Sequence, residues 1–264
     1  LACVNHDANA IQSHLQNHPD AVHFTEDIKD FNVVLKLKSL VNQLRAQQPN
    51  VIIAVWASLE CTNFSKAKGG QARNADSRTL AQHMFMYLEQ LQPQYFWVEN
   101  VREFMCWGPL CSNGKPISKT QGKDYLNWFN TVESYNFKGE AKLLNSANYG
   151  AYQSRERLFI QFSKNSLPIA WPQQTHTKDT AQTALFPMEQ WKQVRQVLEL
   201  EDEGQSIFTR KKPLVDKTIN VIIKGIVKAL EENEKTILFK YYGTGNNLNS
   251  INKPAGTLTT KDRF

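Results

Sequence analysis

The residue of this chain whose side chain is best suited to catalysis is Cys61, which lies shortly after the apolar residues 51–56. A short, β-branched run without charge predicts a strand that is buried on both faces of a parallel sheet. Catalytic groups and ligands collect beyond the carboxyl ends of such strands, and a thiol placed there can act as a nucleophile. The alternative for a lone cysteine is a small apolar residue of the core.

A carboxylate and two guanidinium groups lie beside other predicted strands. Glu99 and Asn100 directly follow one apolar run, and Arg155 and Arg157 directly precede another. A carboxyl group can hold or move a proton, and a guanidinium binds planar groups with two donors. Two arginines that alternate on a strand point to the same face. These residues predict a catalytic site, with an exposed carboxylate at a strand end and a solvated basic edge as the alternatives.

Five segments of the sequence resemble the motifs of the DNA (cytosine-5) methyltransferases and follow one another in the order of that family. In the family, the cysteine nucleophile is followed by Phe-Ser, and the segments Glu-Asn-Val, Gln-x-Arg-x-Arg and Pro-x-x-Thr-Leu come later. Any one segment is a weak signal, but five in order are a strong one. They are Cys61 with Phe64 and Ser65, Asp-Ser-Arg-Thr-Leu at 76–80, Glu-Asn-Val at 99–101, Gln-Ser-Arg-Glu-Arg at 153–157 and Pro-Ala-Gly-Thr-Leu at 254–258.

The resemblance implies transfer of a methyl group to carbon 5 of a cytosine that has been flipped out of DNA. Cys61 would add to carbon 6 as a thiolate, which makes carbon 5 nucleophilic. Glu99 would act as the acid at nitrogen 3, for which an apolar setting must keep its carboxyl group protonated. Asn100 would orient the cysteine loop, while Arg155 and Arg157 would bind the cytosine carbonyl and either Glu99 or a phosphate.

The resemblance also implies S-adenosylmethionine as the methyl donor. The family's first motif, Phe-x-Gly-x-Gly, would precede Leu1 and is absent from the sequence. For Asp7 and Asp27, a carboxylate that caps a helix or a turn is an equally good alternative to a role in cofactor binding. The residues assigned to the cofactor are Asn5, Asp7, Asp27 and Ser58.

Double-stranded DNA is the partner that the resemblance implies. The loop at 66–77, which contains two adjacent glycines and three basic residues, is similar to the mobile loop that closes over DNA in the family. A net charge of +6 permits a polyanionic partner, although charge alone is weak evidence. The residues assigned to DNA are Ser65, Lys66, Lys68, Arg73, Arg78, Gln153 and Thr257.

Two residues of the cysteine loop depart from the family pattern. Glu60 stands where the family has a proline before the nucleophile, and Thr62 stands where it has a glutamine. A neighbouring glutamate tends to raise the pKa of a cysteine. Because Phe64 and Ser65 are retained, we interpret the loop as a variant of a working one.

The composition is that of an ordinary globular protein. The chain has 264 residues, of which 41% are hydrophobic and 21% are charged. Its four cysteines have neither the spacing of a zinc site nor that of a disulfide framework, and no signal peptide or membrane span is visible. We therefore expect a cytoplasmic monomer without a membrane partner. Since the chain starts at Leu1 and stops at Phe264, both ends are interpreted as cut.

Alternating strand and helix patterns predict an α/β protein. The resemblance implies the class I methyltransferase fold, a Rossmann-like, mostly parallel sheet with helices on both faces and a smaller target-recognition lobe. The final two strands are expected to be antiparallel. Predicted strands cover residues 1–4, 22–24, 51–56, 95–98, 137–144 and 157–162, and predicted helices cover residues 8–17, 33–47, 79–92, 124–134, 191–199 and 217–230.

Three regions are predicted along the chain. Residues 1–164 form the catalytic domain without its first strand and glycine motif, 165–250 form the target-recognition lobe, and 251–264 return to the catalytic domain. The predicted function is that of a DNA (cytosine-5) methyltransferase. The alternatives are an RNA cytosine-5 methyltransferase and a non-catalytic DNA-binding remnant of the family. A cognate restriction endonuclease is left open as a partner.

Overall fold

The computed structural model divides the chain into two compact units. The first comprises Leu1–Leu143 and Arg157–Ala170, and the second comprises Leu144–Glu156 and Trp171–Phe264. None of the described helices is long and apolar enough to cross a membrane. The residues that the structure describes are 1–59, 80–109, 111, 117, 118, 120–164, 167–178, 188–202, 206, 208, 209, 211–231, 233, 236–239 and 248–258.

Strands and helices alternate along the first part of the chain, which confirms the predicted α/β class. The observed bounds differ from the predicted ones by a few residues at most strand ends, and Glu99 and Asn100 lie within a strand rather than after it. The elements are β1 (Ala2–Asn5), α1 (Ala8–Asn17), β2 (Val22–Thr25), α2 (Phe31–Gln47), β3 (Ala54–Ser58), α3 (Leu80–Leu91), β4 (Tyr95–Asn100), α4 (Lys123–Ser134), β5 (Phe137–Asn145) and β6 (Glu156–Lys164).

These strands form a parallel pair and a larger mixed sheet. β1 pairs in parallel with β2, and the larger sheet has the order β3-β4-β6-β5. Within it, β3 and β4 are parallel, whereas β6 runs antiparallel to β4. The carboxyl ends of β3 and β4 therefore meet at one edge of the sheet, which is the edge where ligands are expected.

One face of the larger sheet packs against α3 and α4. Phe96 and Val98 of β4 and Phe162 of β6 are fully buried there, and the rings of Phe96 and Phe162 stack with their centroids 5.8 Å apart. The Trp128 indole of α4 donates a 2.9 Å hydrogen bond to the Ala81 carbonyl of α3. This packing fixes the strands whose ends carry the predicted site.

The other face of β3 is open among the residues that the structure describes. Trp56 is 57% exposed, and it meets Trp97 and Phe159 edge-on with centroid distances of 6.3 and 6.2 Å. The prediction that residues 51–56 form a strand buried on both faces is therefore wrong. β3 begins only at Ala54, and alternate side chains face in opposite directions, so only one side reaches the core.

The second unit is built from short strands and a longer helix. A 3-10 helix at Ser146–Tyr149 ends at Gly150, whose φ of 82° lies in the left-handed region. Val194, Ile251 and Ala255 form a small buried cluster. One pair of strands is parallel and the other is antiparallel. The elements are β7 (His176–Thr177), β8 (Glu189–Gln190), α5 (Asp216–Glu231), β9 (Ile237–Phe239) and β10 (Leu248–Ser250).

The helix predicted at residues 191–199 is not formed. The N–H group of Trp191 donates to the carbonyl of Thr177 and so continues the pairing of β7 with β8, and only a short 3-10 helix follows. The N–H group of Val194 binds the carbonyl of Lys253 at 3.1 Å instead of a carbonyl one turn earlier. Tertiary partners thus override a helical pattern here, whereas the helix predicted at 217–230 is confirmed as α5.

Three histidines converge where α1 packs against β2. His14 Nδ1 lies 2.8 Å from His23 Nε2, and the ring centroids of His14 and His18 are 4.6 Å apart. Desolvation, followed by the charges of His18 and His23, holds the pKa of His14 below its ordinary value of 6.5. The contact with His23 also requires one neutral ring, because only a neutral imidazole has an accepting nitrogen.

We expect this cluster to make the protein less stable in mild acid. A group whose pKa is lowered by folding binds fewer protons in the folded state than in the unfolded state. The free energy of unfolding therefore decreases as the pH falls through about 6.5. Urea unfolding at about pH 7.5 and about pH 5.5 should show a smaller difference for His14→Gln than for the wild type. His83→Gln, on α3, is the matched control and should keep the full difference. Equal differences in all three proteins would contradict the prediction.

Candidate active site

Glu99 and Arg157 form an ion pair at the carboxyl end of β4. Arg157 Nε lies 3.2 Å from Glu99 Oε1, and the two side chains are only 19% and 24% exposed. Glu99 pairs across the strands with Phe159, and Arg157 is two residues from Phe159, so both charged side chains lie on the same face of the sheet. A charge-assisted contact of this kind fixes the direction of the carboxyl group.

Ser58 stands beside Glu99 in the parallel register of β3 and β4. Its hydroxyl accepts a 2.9 Å hydrogen bond from the indole N–H of Trp56. Register partners on neighbouring strands point to the same face of a sheet, so Ser58, Glu99 and Arg157 lie on the face where Trp56 is exposed. The ends of β3 and β4 thus carry polar groups. Trp56 and Trp97, two residues earlier on each strand, form an aromatic surface on the same face.

This combination suits a planar polar ligand. Carboxyl, guanidinium and hydroxyl groups can bind the polar edge of a heterocyclic ring, while aromatic side chains can contact its faces. A carboxyl group that is held in one direction can also exchange a proton with a ring nitrogen. The arrangement is therefore chemically suited to holding a planar ring and exchanging a proton with it.

Asn100 is buried and points away from this face. Only 3% of the residue is exposed, and its Oδ1 accepts a 2.8 Å hydrogen bond from the N–H group of Val101. That bond shapes the end of β4, where the chain enters a 3-10 helix at Arg102–Cys106. The predicted contact of Asn100 with the cysteine loop concerns residues outside the described ranges and stays a prediction.

Arg155 lies before β6 and not within it. The strand begins at Glu156, so the predicted alternation of Arg155 and Arg157 along one strand is wrong. The N–H group of Arg155 instead binds two side-chain acceptors, Asn145 Oδ1 at 3.1 Å and Ser146 Oγ at 3.2 Å. These bonds accompany a backbone bond in which the N–H group of Ser146 donates to the carbonyl of Arg155 at 3.1 Å.

Gln153 and Thr257 join two segments of the second unit. Gln153 Nε2 donates to the carbonyl of Gly256 at 3.4 Å, and Thr257 Oγ1 donates to the carbonyl of Ser154 at 3.3 Å. Gln153 also forms an isolated parallel bridge with Ala255. The two motifs at 153–157 and 254–258 are therefore in contact, which their separation along the sequence does not show.

Three of the residues assigned to the cofactor lie at the carboxyl ends of β1 and β2, and the fourth, Ser58, ends β3. Asn5 accepts from the N–H group of Asp7 at 2.9 Å, and Asp7 caps α1 by accepting from Asn9 at 2.8 Å. The backbone N–H of Lys29 donates to Asp27 and holds the pKa of that carboxyl below its usual value. These carboxylates thus serve as caps, and their further lone pairs fit the hydroxyl and amino donors of a nucleoside.

Several predicted site residues fall outside the part of the chain that the structure describes. The interval between β3 and α3 carries the predicted nucleophile and most of the predicted DNA contacts. They are Cys61, Ser65, Lys66, Lys68, Arg73 and Arg78, together with the two departures from the family pattern, Glu60 and Thr62.

The sequence reasoning missed the aromatic surface beside the ion pair. Trp97 alternates with Glu99 along β4, and Trp56 alternates with Ser58 along β3. A period of two places each aromatic residue on the same face as the polar residue that follows. The alternation was a readable signal, but the apolar character of both runs favoured burial on both faces.

Comparisons with known proteins match this chain to one family. The family model described as C-5 cytosine-specific DNA methylase matches residues 1–262. The type II methyltransferase M.AgeI of Thalassovita gelatinovora is 25% identical over 173 residues, which are 65% of this chain and 36% of that protein. M.BspRI of Lysinibacillus sphaericus is 27% identical over 171 residues, which are 64% of this chain and 34% of that protein.

The match to these relatives covers only part of their length. The chain spans about a third of each of the two curated methyltransferases. Among solved structures, Dnmt2 methyltransferase of S. pombe is similar with a TM-score of 0.47 and 13% identity, over 85% of this chain and 58% of that one.

Proposed function

Because the chain belongs to the C-5 cytosine-specific DNA methylase family, we propose that it methylates carbon 5 of cytosine in DNA. The observation that carries the proposal is the ion pair of Glu99 with Arg157, at the carboxyl end of β4. It provides an acid and a planar donor at the edge where α/β folds bind their ligands. The class I methyltransferase fold, with its mostly parallel sheet, agrees with this reaction.

Covalent catalysis by Cys61 is the proposed route. Carbon 5 of cytosine is a poor nucleophile, because direct methylation there would break the conjugation of the ring. Addition of the Cys61 thiolate to carbon 6 makes carbon 5 enamine-like, so it can take the methyl group. A base then removes the proton from carbon 5, and the thiolate leaves. In the sequence, Cys61 comes three residues after Ser58, which ends β3 and lies beside Glu99.

Glu99 is proposed to act at nitrogen 3 of the cytosine. Negative charge develops on that side of the ring as the thiolate adds, and a proton between Glu99 and nitrogen 3 neutralises it. The carboxyl group must take up that proton when the cytosine binds, because it is ion-paired with Arg157 in the structure. Arg157 keeps the carboxyl group pointing in one direction, and a guanidinium can also donate to the cytosine carbonyl. Asn100 supports the end of the same strand, and Arg155 is proposed as a second donor to the substrate.

The proposal includes flipping of the target base, since a base inside a duplex cannot reach such a site. Residues 165–250 are proposed as the target-recognition lobe, with 251–264 returning to the catalytic domain. Gln153 and Thr257, which lie in two segments that contact each other, are proposed to contact the DNA backbone. The other proposed DNA contacts are Ser65, Lys66, Lys68, Arg73 and Arg78.

S-adenosylmethionine is the proposed donor, and when bound it supplies the methyl group on a sulfonium centre. Asn5, Asp7 and Asp27 would hold its hydroxyl and amino groups at the carboxyl ends of β1 and β2. Ser58 would contact it at the end of β3. The type II names of two relatives support a role in restriction-modification, while a partner endonuclease, a monomeric state and a cytoplasmic location stay predictions.

Covalent trapping tests the proposal. The chain is incubated with S-adenosylmethionine and duplex DNA that contains 5-fluorocytosine, because fluorine at carbon 5 blocks the final removal of a proton. We expect an adduct at Cys61 that survives denaturation and is identified by peptide mass spectrometry. Duplex DNA with ordinary cytosine should leave no such adduct.

A second substrate separates the alternatives. An adduct that forms only with RNA containing 5-fluorocytosine would favour an RNA methyltransferase over the proposed activity. Absence of any adduct, with DNA still bound, would favour a non-catalytic DNA-binding protein of the family.

A further inference from the structure

The turn at residues 146–155, which leads into β6, is held by residues that flank β7 and β8. The N–H group of Thr175 donates to the carbonyl of Asn148 at 3.1 Å, and the indole N–H of Trp191 donates to Asn148 Oδ1 at 2.9 Å. His176 lies next to these contacts and faces Gly150, the residue that ends the 3-10 helix. A Cβ atom built on Gly150 would lie 2.9 Å from Cε1 of His176, which is closer than van der Waals contact allows.

His176 is one of the few buried polar residues among those that the structure describes, with 6% of its surface exposed. Its Nδ1 shares a 2.8 Å hydrogen bond with the hydroxyl of Thr175. Its Nε2 lies 3.2 Å from Glu189 Oε2, yet it has no hydrogen-bond partner of acceptable geometry. The imidazole is thus fixed from one side and packed against the Gly150 backbone on another. Burying a polar ring costs free energy unless its nitrogen atoms form hydrogen bonds.

The far end of the turn is held by the segment around Ala255. The N–H group of Ala255 donates to the carbonyl of Tyr152 at 2.8 Å, and the N–H group of Ser154 donates back to the carbonyl of Ala255 at 2.8 Å. Arg155 follows directly, with its own N–H group bound by Asn145 and Ser146. The backbone of Arg155 therefore depends on a turn that His176 contacts at its beginning and Ala255 contacts at its end.

We propose that His176 is a positioning residue, whose imidazole packs on Gly150 and fixes the turn that places Arg155. The inference rests on the proposed function, because the role of Arg155 as a donor to the substrate comes from it. A displacement of about 1 Å at a group that orients a substrate can reduce the rate by about a hundredfold. Removal of the His176 ring leaves a cavity beside Gly150. Because glycine can adopt many backbone conformations, the turn can then change its conformation easily.

Amide hydrogen exchange tests the inference without any need for activity. In His176→Ala, we expect the Arg155 and Ala147 amides to exchange about tenfold faster or more, while amides of β4 keep their protection. Val132→Ala is the control, because Val132 is a fully buried residue of α4 in the core cluster of the first unit and so reports on a general loss of packing. It should lower stability and leave the Arg155 amide protected. Unchanged protection of Arg155 in His176→Ala would overturn the inference.

Kinetics then connect the turn with the reaction. His176→Ala should lower kcat for methyl transfer by about tenfold to a hundredfold, with the KM for S-adenosylmethionine unchanged. Added imidazole should restore part of the loss by filling the cavity, and it should not raise the activity of Val132→Ala. If the wild type is active and His176→Ala has a normal kcat, the inference about His176 fails and the proposed function stands. An inactive wild type would instead count against the proposed function, and hydrogen exchange would still decide the role of His176.

Discussion

Glu99→Gln is expected to lower kcat for methyl transfer by about 10²-fold to 10⁴-fold, the usual contribution of a general acid. Glutamine has nearly the shape of glutamate and can still donate an N–H, but it cannot give a proton to nitrogen 3. Its amide also loses the charge that attracts Arg157, whose Nε lies 3.2 Å from Oε1 in the wild type. Single-turnover methyl transfer to duplex DNA measures the change, and calorimetry checks that S-adenosylmethionine still binds.

A partner variant shows whether Glu99 and Arg157 act as a unit. Arg157→Lys keeps the positive charge but loses the planar donors, so we expect a smaller loss than in Glu99→Gln. In the double variant the losses should not add, because each substitution already disrupts the same ion pair. Glu201→Gln, at an exposed carboxylate of the second unit, is the control and should behave as the wild type. Activity of Glu99→Gln within about threefold of the wild type would remove the acid role from Glu99.

Cys61→Ser is expected to abolish methyl transfer, with a loss of roughly 10⁴-fold or more, while DNA binding is retained. A serine hydroxyl ionises far less readily than a thiol and is a poor nucleophile without a paired base. Methyl transfer and DNA affinity are measured on the same preparation. The trapping experiment with 5-fluorocytosine should then give no adduct.

Cys3→Ser provides the comparison for Cys61→Ser. Cys3 lies within β1, and burial raises the pKa of its thiol, so it is less reactive than an ordinary cysteine. Its replacement should leave the rate of transfer unchanged. If Cys61→Ser lost DNA binding and cooperative unfolding together with activity, Cys61 would be a structural residue and the covalent route would fail.

Local signals in the sequence were enough to define several elements. α1 was predicted with its observed bounds, because Ile11 and its apolar neighbours have helical spacing and Asp7 caps the first turn. α5 was predicted to within one residue at each end from its regular apolar positions. In both cases the apolar spacing lies within the helix itself, and the cap of α1 directly precedes it, so both predictions depended on local signals alone.

Contacts between distant segments changed other predictions. Residues 191–199 have a helical pattern, yet Trp191 extends a strand pair by bonding to Thr177, and Val194 bonds to Lys253. Arg155 was expected in a strand, but it lies just before β6, where the side chains of Asn145 and Ser146 bind its N–H group. Helical propensity differs by less than about 1 kcal/mol per residue for most residue types, so a few tertiary hydrogen bonds override it.

The sequence by itself determined which residues could take part in the proposed chemistry, since residue type and motif order are local properties. It named Glu99 and Arg157 among the catalytic candidates, but it left open whether an arginine binds Glu99 or a phosphate. Only the tertiary structure decided that pairing, because the register of β4 with β6 brings them to one face. The same holds for Trp56, which the pattern placed in the core. Which side of a strand faces the core depends on the helices that cover it, and those are distant in sequence.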